Sequence, residues 1–338
     1  MGAEEGQPQR SESILVVSLD NLGDLVFVSA LLPAIRKQFP SATIGLWCKS
    51  YASGLIPLIP DLDVSYAADP FWLRSPGRGK GSVWRFMTVA ASVRRARFSK
   101  AIVFSAPWRA AATVAVTGIP VRIGFERRRN RRWLTDILPT DDRKRPILEE
   151  LGRLLEPLGI KNPSLVYRLD TSKLNSKHAR VSSFMQDRSY VALHPFAGSQ
   201  SRCVSLEEWI SVASELASNG TQILWIGNSK ELMALKQRSD ANTSWHYVDD
   251  LSHGSLAMVA AAISRAKLFI GHDSGPMHIA AALSVPTLGV FAPGEPARTF
   301  PQGPGRWRII ARSSPLEISA HDILAESSAL LTSAQKLI

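Results

Sequence analysis

The chain contains only two cysteines among its 338 residues, Cys48 and Cys203. Two cysteines exclude a framework of several disulfides and a four-cysteine zinc site, and they are typical of a reducing compartment. The longest apolar stretches, Leu25–Ile35 and Ile279–Ala292, are too short or too broken by proline to span a bilayer. The first twelve residues are polar and lack the form of a signal peptide. We therefore expect a cytoplasmic protein.

Several common catalytic motifs are missing as well. The chain has no GxGxxG fingerprint, no GxxxxGK(S/T) phosphate loop and no GxSxG elbow. Its histidines, His246, His253, His272 and His278 among them, show no HExxH motif and no close Cys/His spacing. These absences exclude the best-known dinucleotide, P-loop and serine-hydrolase sites, and they predict no metal centre.

Acidic residues are scarce in one part of the chain. Arg74–Arg132 holds 15 basic residues and one acid, Glu126, within a chain whose net charge is +11. Such a segment attracts phosphates, anionic lipid head groups or nucleic acid. Inside it, Val83–Phe98 predicts an amphipathic helix, whose mixture of arginine with tryptophan and phenylalanine suits a membrane interface or single-stranded nucleic acid. A solvated charged face over core aromatics explains the same pattern.

What is present is an alternation of strand-length apolar runs and helical patterns, which predicts mostly parallel sheets covered by helices. We expect a domain over residues 13–165, a polar linker over 166–188 and a second α/β domain over 189–338. The predicted strands are Ser13–Leu19, Ala42–Cys48, Lys100–Ser105, Tyr190–His194, Thr221–Gly227, Leu268–Gly271, Thr287–Phe291 and Trp307–Ala311. The predicted helices include Leu25–Phe39, Leu206–Ser218, Ser255–Ala266, Pro276–Leu283 and a C-terminal helix from about Ser319.

Ligands of doubly wound sheets bind beyond the carboxyl ends of the strands, so residues directly after strands are the candidates for chemistry. The first is Asp24 in Asp20–Asp24 (DNLGD), which is expected at the start of the following helix. Helix capping explains such an aspartate, since aspartate is a favoured N-cap residue. A carboxylate facing the cleft is also able to act as a general base toward an acceptor hydroxyl.

The second candidate is Asp273–His278 (DSGPMH), after the strand Leu268–Gly271. Ser274 and Gly275 lie at the predicted helix cap, and the free amides there form an anion site toward which His278 is able to point. The alternative is a well-capped helix with a buried histidine.

The third candidate is the loop His194–Arg202. Its Ser199 and Arg202 suit a phosphate, although a surface loop with a solvated arginine explains the sequence too. Gly227 and Asn228 end the next strand and are expected to line the same nucleotide pocket.

Taken together, Ile14–Leu32, His194–Arg202 and Leu268–Ala297 (LFIGHDSGPMHIAAALSVPTLGVFAPGEPA) resemble the glycosyltransferase family 9 heptosyltransferases. The resemblance implies a GT-B fold, with two Rossmann-like domains facing a central cleft. It implies inverting, metal-independent transfer of heptose from ADP-heptose, without a cofactor, to a lipopolysaccharide core or a related acidic glycoconjugate.

The resemblance also implies roles for individual residues. Asp24 falls on the catalytic base, Arg202 on a lysine position that contacts the diphosphate, and Asp273, Ser274, Gly275 and His278 on the donor-binding segment. Together with Ser199, Gly227 and Asn228, which are expected from their own loops, Arg202 and the four residues of that segment form the predicted donor-binding set. The expected acceptor-side basic patch consists of Arg94, Arg95, Arg97, Arg127 and Arg128. The expected partners are a nucleotide sugar, an acidic glycolipid and the anionic inner face of the cytoplasmic membrane, where the protein would be peripheral; no nucleic acid is expected.

The chain departs from the family pattern around the donor. Phe196 stands at a glycine position, Arg202–Ser205 replaces a lysine-x-tryptophan-proline sequence, His272 replaces an asparagine and Ser18 an arginine. Another nucleotide sugar or a soluble acceptor is therefore the alternative function. A non-catalytic protein that binds membranes or nucleic acid is a further one.

Overall fold

Two six-stranded parallel sheets, each flanked by helices, form the computed structural model of the chain. It describes residues 12–74, 79–140, 145–173, 190–238, 245–249 and 256–332. The strands of the first sheet are β1 (Ser13–Ser18), β2 (Thr43–Cys48), β3 (Val64–Ala67), β4 (Lys100–Val103), β5 (Val121–Phe125) and β6 (Asp136–Leu138). Those of the second are β7 (Tyr190–His194), β8 (Gln222–Gly227), β9 (Trp245–Asp249), β10 (Leu268–His272), β11 (Thr287–Phe291) and β12 (Trp307–Ala311).

The two sheets have the same topology. Their strand orders are β3-β2-β1-β4-β5-β6 and β12-β11-β10-β7-β8-β9, so each is the doubly wound order of a Rossmann-like fold. The helices of the first half are α1 (Leu22–Ser29), α2 (Leu31–Gln38), α3 (Val83–Ala96), α4 (Trp108–Val116) and α5 (Ile147–Arg153). Those of the second half are α6 (Leu206–Ser218), α7 (Ser229–Lys236), α8 (Leu256–Ser264), α9 (Gly275–Ala282), α10 (Pro296–Thr299) and α11 (Ala320–Thr332). The predicted α/β class is confirmed.

The central strands are buried on both faces, which explains their unbroken apolar sequences. All but the first residue of β1 and of β2 are buried. Gly45 in β2 leaves room for the ring of Phe98, because a Cβ at this position would lie 2.5 Å from Phe98 Cζ. This packing fixes the carboxyl ends of β1 and β2, after which the candidate residues follow.

The helix after β1 differs from the prediction. Instead of one helix over Leu25–Phe39, the chain forms α1 and α2, with Ala30 between them. Pro33 has no N–H to donate to the carbonyl of Ser29, so the helical ladder is interrupted there. The helix also begins three residues earlier than predicted, because Asn21 is its N-cap.

The beginning of the predicted linker packs against both halves. The backbone N–H of Leu169 donates to the Ala282 carbonyl at 3.1 Å, and that of Asp170 donates to the Leu58 carbonyl at 2.7 Å. Residues 174–189, which include most of the predicted linker, lie outside the described residues. The boundaries 13–165, 166–188 and 189–338 stay a prediction.

Candidate active site

Asp24 lies in the first turn of α1, just beyond the carboxyl end of β1. It was predicted at the helix start, and the structure places it three residues after the N-cap Asn21, whose backbone N–H donates to Asp24 Oδ2 at 2.8 Å. The carboxylate therefore does cap the helix. Capping uses one oxygen and leaves the general-base interpretation open.

The surroundings of Asp24 change its acidity. Burial and the neighbouring charge of Asp20 raise the pKa of Asp24 to about 6, against the opposing effects of the Asn21 amide and the charges of Lys49 and Arg298. A carboxyl group with such a pKa is ionised at neutral pH and is a stronger base than an ordinary aspartate. Desolvation plus specific charges is the pattern expected of a functional carboxylate.

Helix α1 meets α9 across the interface between the two halves. A Cβ at Gly23 would lie 3.2 Å from His278 Cδ2, and a Cβ at Gly275 would lie 2.7 Å from Leu22 Cδ2. The two glycines thus allow the starts of the two helices to touch. This contact brings the DNLGD and DSGPMH segments together, as expected if both segments line a cleft between the two halves.

Asp273 is the centre of a polar network on the second half. Its Oδ2 accepts a hydrogen bond from Arg202 Nη2 at 2.8 Å and from Thr299 Oγ1 at 3.3 Å, while Oδ1 lies 3.5 Å from His278 Nε2. Burial acts to raise the pKa of Asp273, but the contacts with His278 and Arg202 outweigh it and hold that pKa below its usual value. Asp273 is thus an anion that orients the guanidinium group of Arg202.

The orientation of the His278 ring follows from Tyr167. The Gln302 N–H donates to the Tyr167 hydroxyl at 2.6 Å, so this hydroxyl is free to donate to His278 Nδ1, 3.3 Å away. In that arrangement Nε2 carries the proton and faces Asp273. Because His278 is only 3% exposed, the network fixes it rigidly.

The start of α9 has the predicted capping residues, and anion binding there stays a prediction. Ser274 is the N-cap and Pro276 lies in the first turn, as predicted, but Ser274 Oγ donates to the His272 carbonyl at 3.0 Å instead of capping the amides.

His272 is a structural residue: its Nε2 accepts from the Val204 N–H at 3.1 Å and its Nδ1 lies 3.2 Å from the Val290 carbonyl. It holds the loop that carries Arg202 against β10.

The other predicted donor-binding residues have local roles. Asn228 caps α7, because its Oδ1 accepts from the N–H groups of Lys230 and Glu231, both at 3.1 Å. A Cβ at Gly227 would lie 2.9 Å from the Phe196 ring. Ser199 is exposed, and its hydroxyl lies 2.8 Å from that of Ser201. Their contact with a nucleotide stays a prediction.

The predicted basic patch is divided between opposite edges of the first sheet. Arg94, Arg95 and Arg97 lie at the end of α3, beside the amino end of β4. Arg127 and Arg128 follow β5 at the carboxyl edge, the side of Asp24. There they line a cavity of about 660 Å³ together with Ala106, Pro107, Trp108, Glu126, Arg129, Thr140 and Glu150.

An ion pair closes the interface beside this cavity. Arg298, on α10 of the second half, places Nη2 2.5 Å from Glu150 Oε2, and Glu150 is only 2% exposed. Arg127 Nη2 lies 4.0 Å from the other carboxylate oxygen of Glu150. The buried acid therefore joins the cavity to the second half.

Four residues of this region were missed in the sequence: Lys49, Glu150, Tyr167 and Arg298. Only Lys49 has a local signal, since it directly follows a strand as Asp273 does. The others are ordinary helix or loop residues whose contacts span more than a hundred positions. Tyr167 even falls inside the predicted linker.

The described residues contain no cluster of three or more His, Cys, Asp or Glu side chains arranged to hold a metal ion. Metal and cofactor independence stay a prediction. No helix within the described ranges is long and apolar enough to cross a bilayer.

Comparisons with known proteins identify the family of the chain. Residues 86–316 match the family model described as Glycosyltransferase family 9 (heptosyltransferase). Lipopolysaccharide heptosyltransferase 2 of Escherichia coli K12 is 23% identical over 307 residues, 85% of this chain and 85% of the relative.

Solved structures show the same fold. The structure of E. coli ADP-heptose lps heptosyltransferase II matches with a TM-score of 0.79 at 20% identity, over 94% of this chain and 98% of that one. E. coli heptosyltransferase WaaC with ADP-2-deoxy-2-fluoro heptose matches with a TM-score of 0.75 at 14% identity, over 94% and 99%. These matches confirm the predicted GT-B fold.

Proposed function

The chain belongs to glycosyltransferase family 9, and we propose that it transfers heptose from ADP-heptose to a lipopolysaccharide core or a related acidic glycoconjugate. The observation that carries the proposal is the contact of α1 with α9. It brings Gly23, the residue before Asp24, against His278 of the Arg202–Asp273–His278 network. Relatives of similar length named lipopolysaccharide heptosyltransferases support the choice of sugar and acceptor.

The proposed reaction is a single displacement with inversion. Asp24 takes the proton of the acceptor hydroxyl as its oxygen forms a bond to the anomeric carbon. On the opposite side of that carbon, the bond to the diphosphate oxygen breaks and negative charge develops on ADP. Arg202 and the amides at the start of α9 stabilise this charge, because fixed donors aimed at a leaving group favour the transition state.

The cavity beside Arg127 and Arg128 is the proposed acceptor site. Its arginines favour a phosphorylated or carboxylated sugar. It lies at the carboxyl edge of β4 and β5, on the same half as Asp24. No metal is assigned to the reaction.

The donor assignment is tested by ligand-induced stabilisation. We expect ADP to raise the melting temperature more than UDP at equal concentration, because a ligand that binds only the folded state adds about 2.7 kcal/mol at a hundredfold excess over its Kd. Mass spectrometry of products from ADP-heptose and core-deficient glycolipids then identifies the acceptor. A larger effect of UDP would favour the alternative, another nucleotide sugar on the same fold.

We further propose that the protein binds peripherally to the inner face of the cytoplasmic membrane through the start of α3. Val83, Trp84 and Met87 are exposed by 50%, 85% and 47%, and Arg85 lies among them. Apolar and aromatic side chains next to a cation suit an anionic bilayer surface. A membrane-bound enzyme would meet its glycolipid acceptor there.

Replacing Trp84 tests this surface. We expect Trp84→Ser to weaken binding to phosphatidylglycerol vesicles about tenfold, because a tryptophan leaving the interface costs more than 1 kcal/mol. Co-sedimentation measures it, with Trp307→Ser as the control for an exposed tryptophan on the second half (41% exposed). Equal binding of both variants and the unmodified protein would exclude α3 as the membrane contact.

A further inference from the structure

Lys49 is a buried lysine whose ammonium group has no hydrogen-bond partner among the described residues. It directly follows β2 and is only 1% exposed. Its Nζ lies 5.9 Å from the centre of the Tyr51 ring, at the distance of a weak cation–π contact. A lysine is rarely buried without a compensating charge, so negative charges are expected near the Lys49 ammonium group.

The sheet places carboxylates on both sides of Lys49. In the parallel register Cys48 pairs with Ser18 of β1 and with Ala67 of β3. Asp20 and Asp69 each follow two residues after these partners, so they flank Lys49 at the carboxyl edge of three adjacent strands. Burial lowers the pKa of Lys49, and the charges of Asp20, Asp69 and Asp24 act against it.

Asp20 and Asp24 form a pair of like charges beside this lysine. Burial raises the pKa of Asp20, against hydrogen bonds from Ser105 and the Ala106 backbone and the charges of Lys49 and Arg127. The Ser105 hydroxyl accepts from the Leu19 N–H at 2.5 Å and so keeps its proton for Asp20. Two such carboxylates raise each other's pKa unless a cation compensates them.

Two elements of the second half also face Asp24. From α10, the charge of Arg298 lowers the pKa of Asp24, but the guanidinium is held by Glu150. From α9, His278 contacts Gly23 and is paired with Asp273. Among the described residues of the first half, Lys49 is thus the cation whose charge acts on Asp24 and whose ammonium group has no hydrogen-bond partner.

We propose that Lys49 is a positioning residue that supplies the counter-charge of the Asp20–Asp24 pair and so keeps Asp24 ionised as the base at neutral pH. This inference rests on the proposed function, in which Asp24 accepts the proton of the acceptor. Lys49 acts through Asp24 and does not touch the substrate.

The competing role for a buried ammonium is to bind an anionic group of the acceptor. The local charge argues against it. The one ammonium of Lys49 lies among the charges of Asp20 and Asp24, so an added anion would be repelled by this pair, whereas a proton would be attracted. The cluster is therefore suited to controlling protonation.

The pH dependence of kcat/KM tests the proposal in a double-mutant cycle. For the unmodified protein we expect kcat/KM to fall as the pH drops through about 6, because protonated Asp24 is not a base. Lys49→Met should move this acid limb upward by about one pH unit, which lowers kcat/KM about fivefold at pH 6 and hardly at all at pH 9. Asp20→Asn should move it downward, and the double variant should lie near the unmodified protein.

The controls separate this inference from the proposed function. Lys37→Met removes an exposed lysine of α2 and should leave the profile unchanged. Activity retained by Asp24→Asn would refute the base itself. An inactive Asp24→Asn together with an unmoved acid limb in Lys49→Met would refute only the role of Lys49. A raised acceptor KM with an unmoved acid limb would assign Lys49 to acceptor binding instead. If Lys49→Met does not fold, the pH profile of Asp20→Asn is the test. The proposal is contradicted if the acid limb of the kcat/KM profile of Asp20→Asn does not move to lower pH.

Discussion

Asp24→Asn is expected to lower kcat by a factor of about 10² to 10⁴, because this is the usual contribution of a general base. The amide cannot take the proton of the acceptor hydroxyl, whereas its oxygen is still able to accept from the Asn21 N–H and preserve the helix cap. ADP affinity should remain nearly unchanged, since Asp24 belongs to the acceptor half. Steady-state kinetics and ADP-induced thermal shifts measure the two quantities separately.

Asp322→Asn is the matched control for this variant. Asp322 occupies the equivalent place in α11, where Oδ2 accepts from the Ser319 N–H at 2.9 Å, and it lies outside the proposed site. We expect a comparable small change in melting temperature with full activity. Near-normal transfer by Asp24→Asn would remove Asp24 as the base, and equal losses in the two variants would reduce its role to capping.

Arg202→Ala is expected to lower kcat/KM about 10²- to 10³-fold, with losses in both donor affinity and turnover. The guanidinium is positioned by Asp273 at 2.8 Å and by the Pro293 carbonyl at 3.2 Å, so it presents a fixed charge to the diphosphate. Alanine removes this charge and leaves Asp273 repelling the donor. Arg202→Lys should be intermediate, because lysine keeps the charge but lacks the planar fork.

Arg238→Ala controls for loss of an arginine on the same half. Arg238 forms an exposed ion pair with Glu207 at 3.2 Å, and exposed pairs contribute little to stability. We expect kinetics close to those of the unmodified protein. Donor titrations that show no change of affinity in Arg202→Ala would place the diphosphate elsewhere.

Much of the fold was predictable because its signals are local. An unbroken apolar run such as Ser13–Leu19 describes a strand buried on both faces, and the structure has Ser13–Ser18. Asp24 and Asp273 were found by one topological rule, that parallel strands bring ligand-binding residues to their carboxyl ends. The start of α1 was misplaced because the asparagine cap precedes the apolar pattern by several residues.

The remaining features depend on contacts that no local pattern encodes. Tyr167 reaches His278 across 111 positions, and its role follows from two hydrogen bonds that exist only in the folded chain. Arg94 and Arg127 likewise lie at opposite edges of the sheet because of the direction of the strands beside them. Counting charges along the sequence does not show this separation. The proposed role of Lys49 could be inferred only from its burial together with the register of β1, β2 and β3.

The ion pair of Arg298 with Glu150 has a consequence for how products leave. The Glu150 carboxylate is buried, so moving the two halves apart would take Arg298 away and leave this acid with Arg127, 4.0 Å from its other oxygen, as an ion-pair partner. Such a separation costs free energy unless water reaches the carboxylate. The ion pair thus holds the two halves together at this point of their interface. We therefore expect hydration of the Glu150 carboxylate to accompany opening of the cleft for product release.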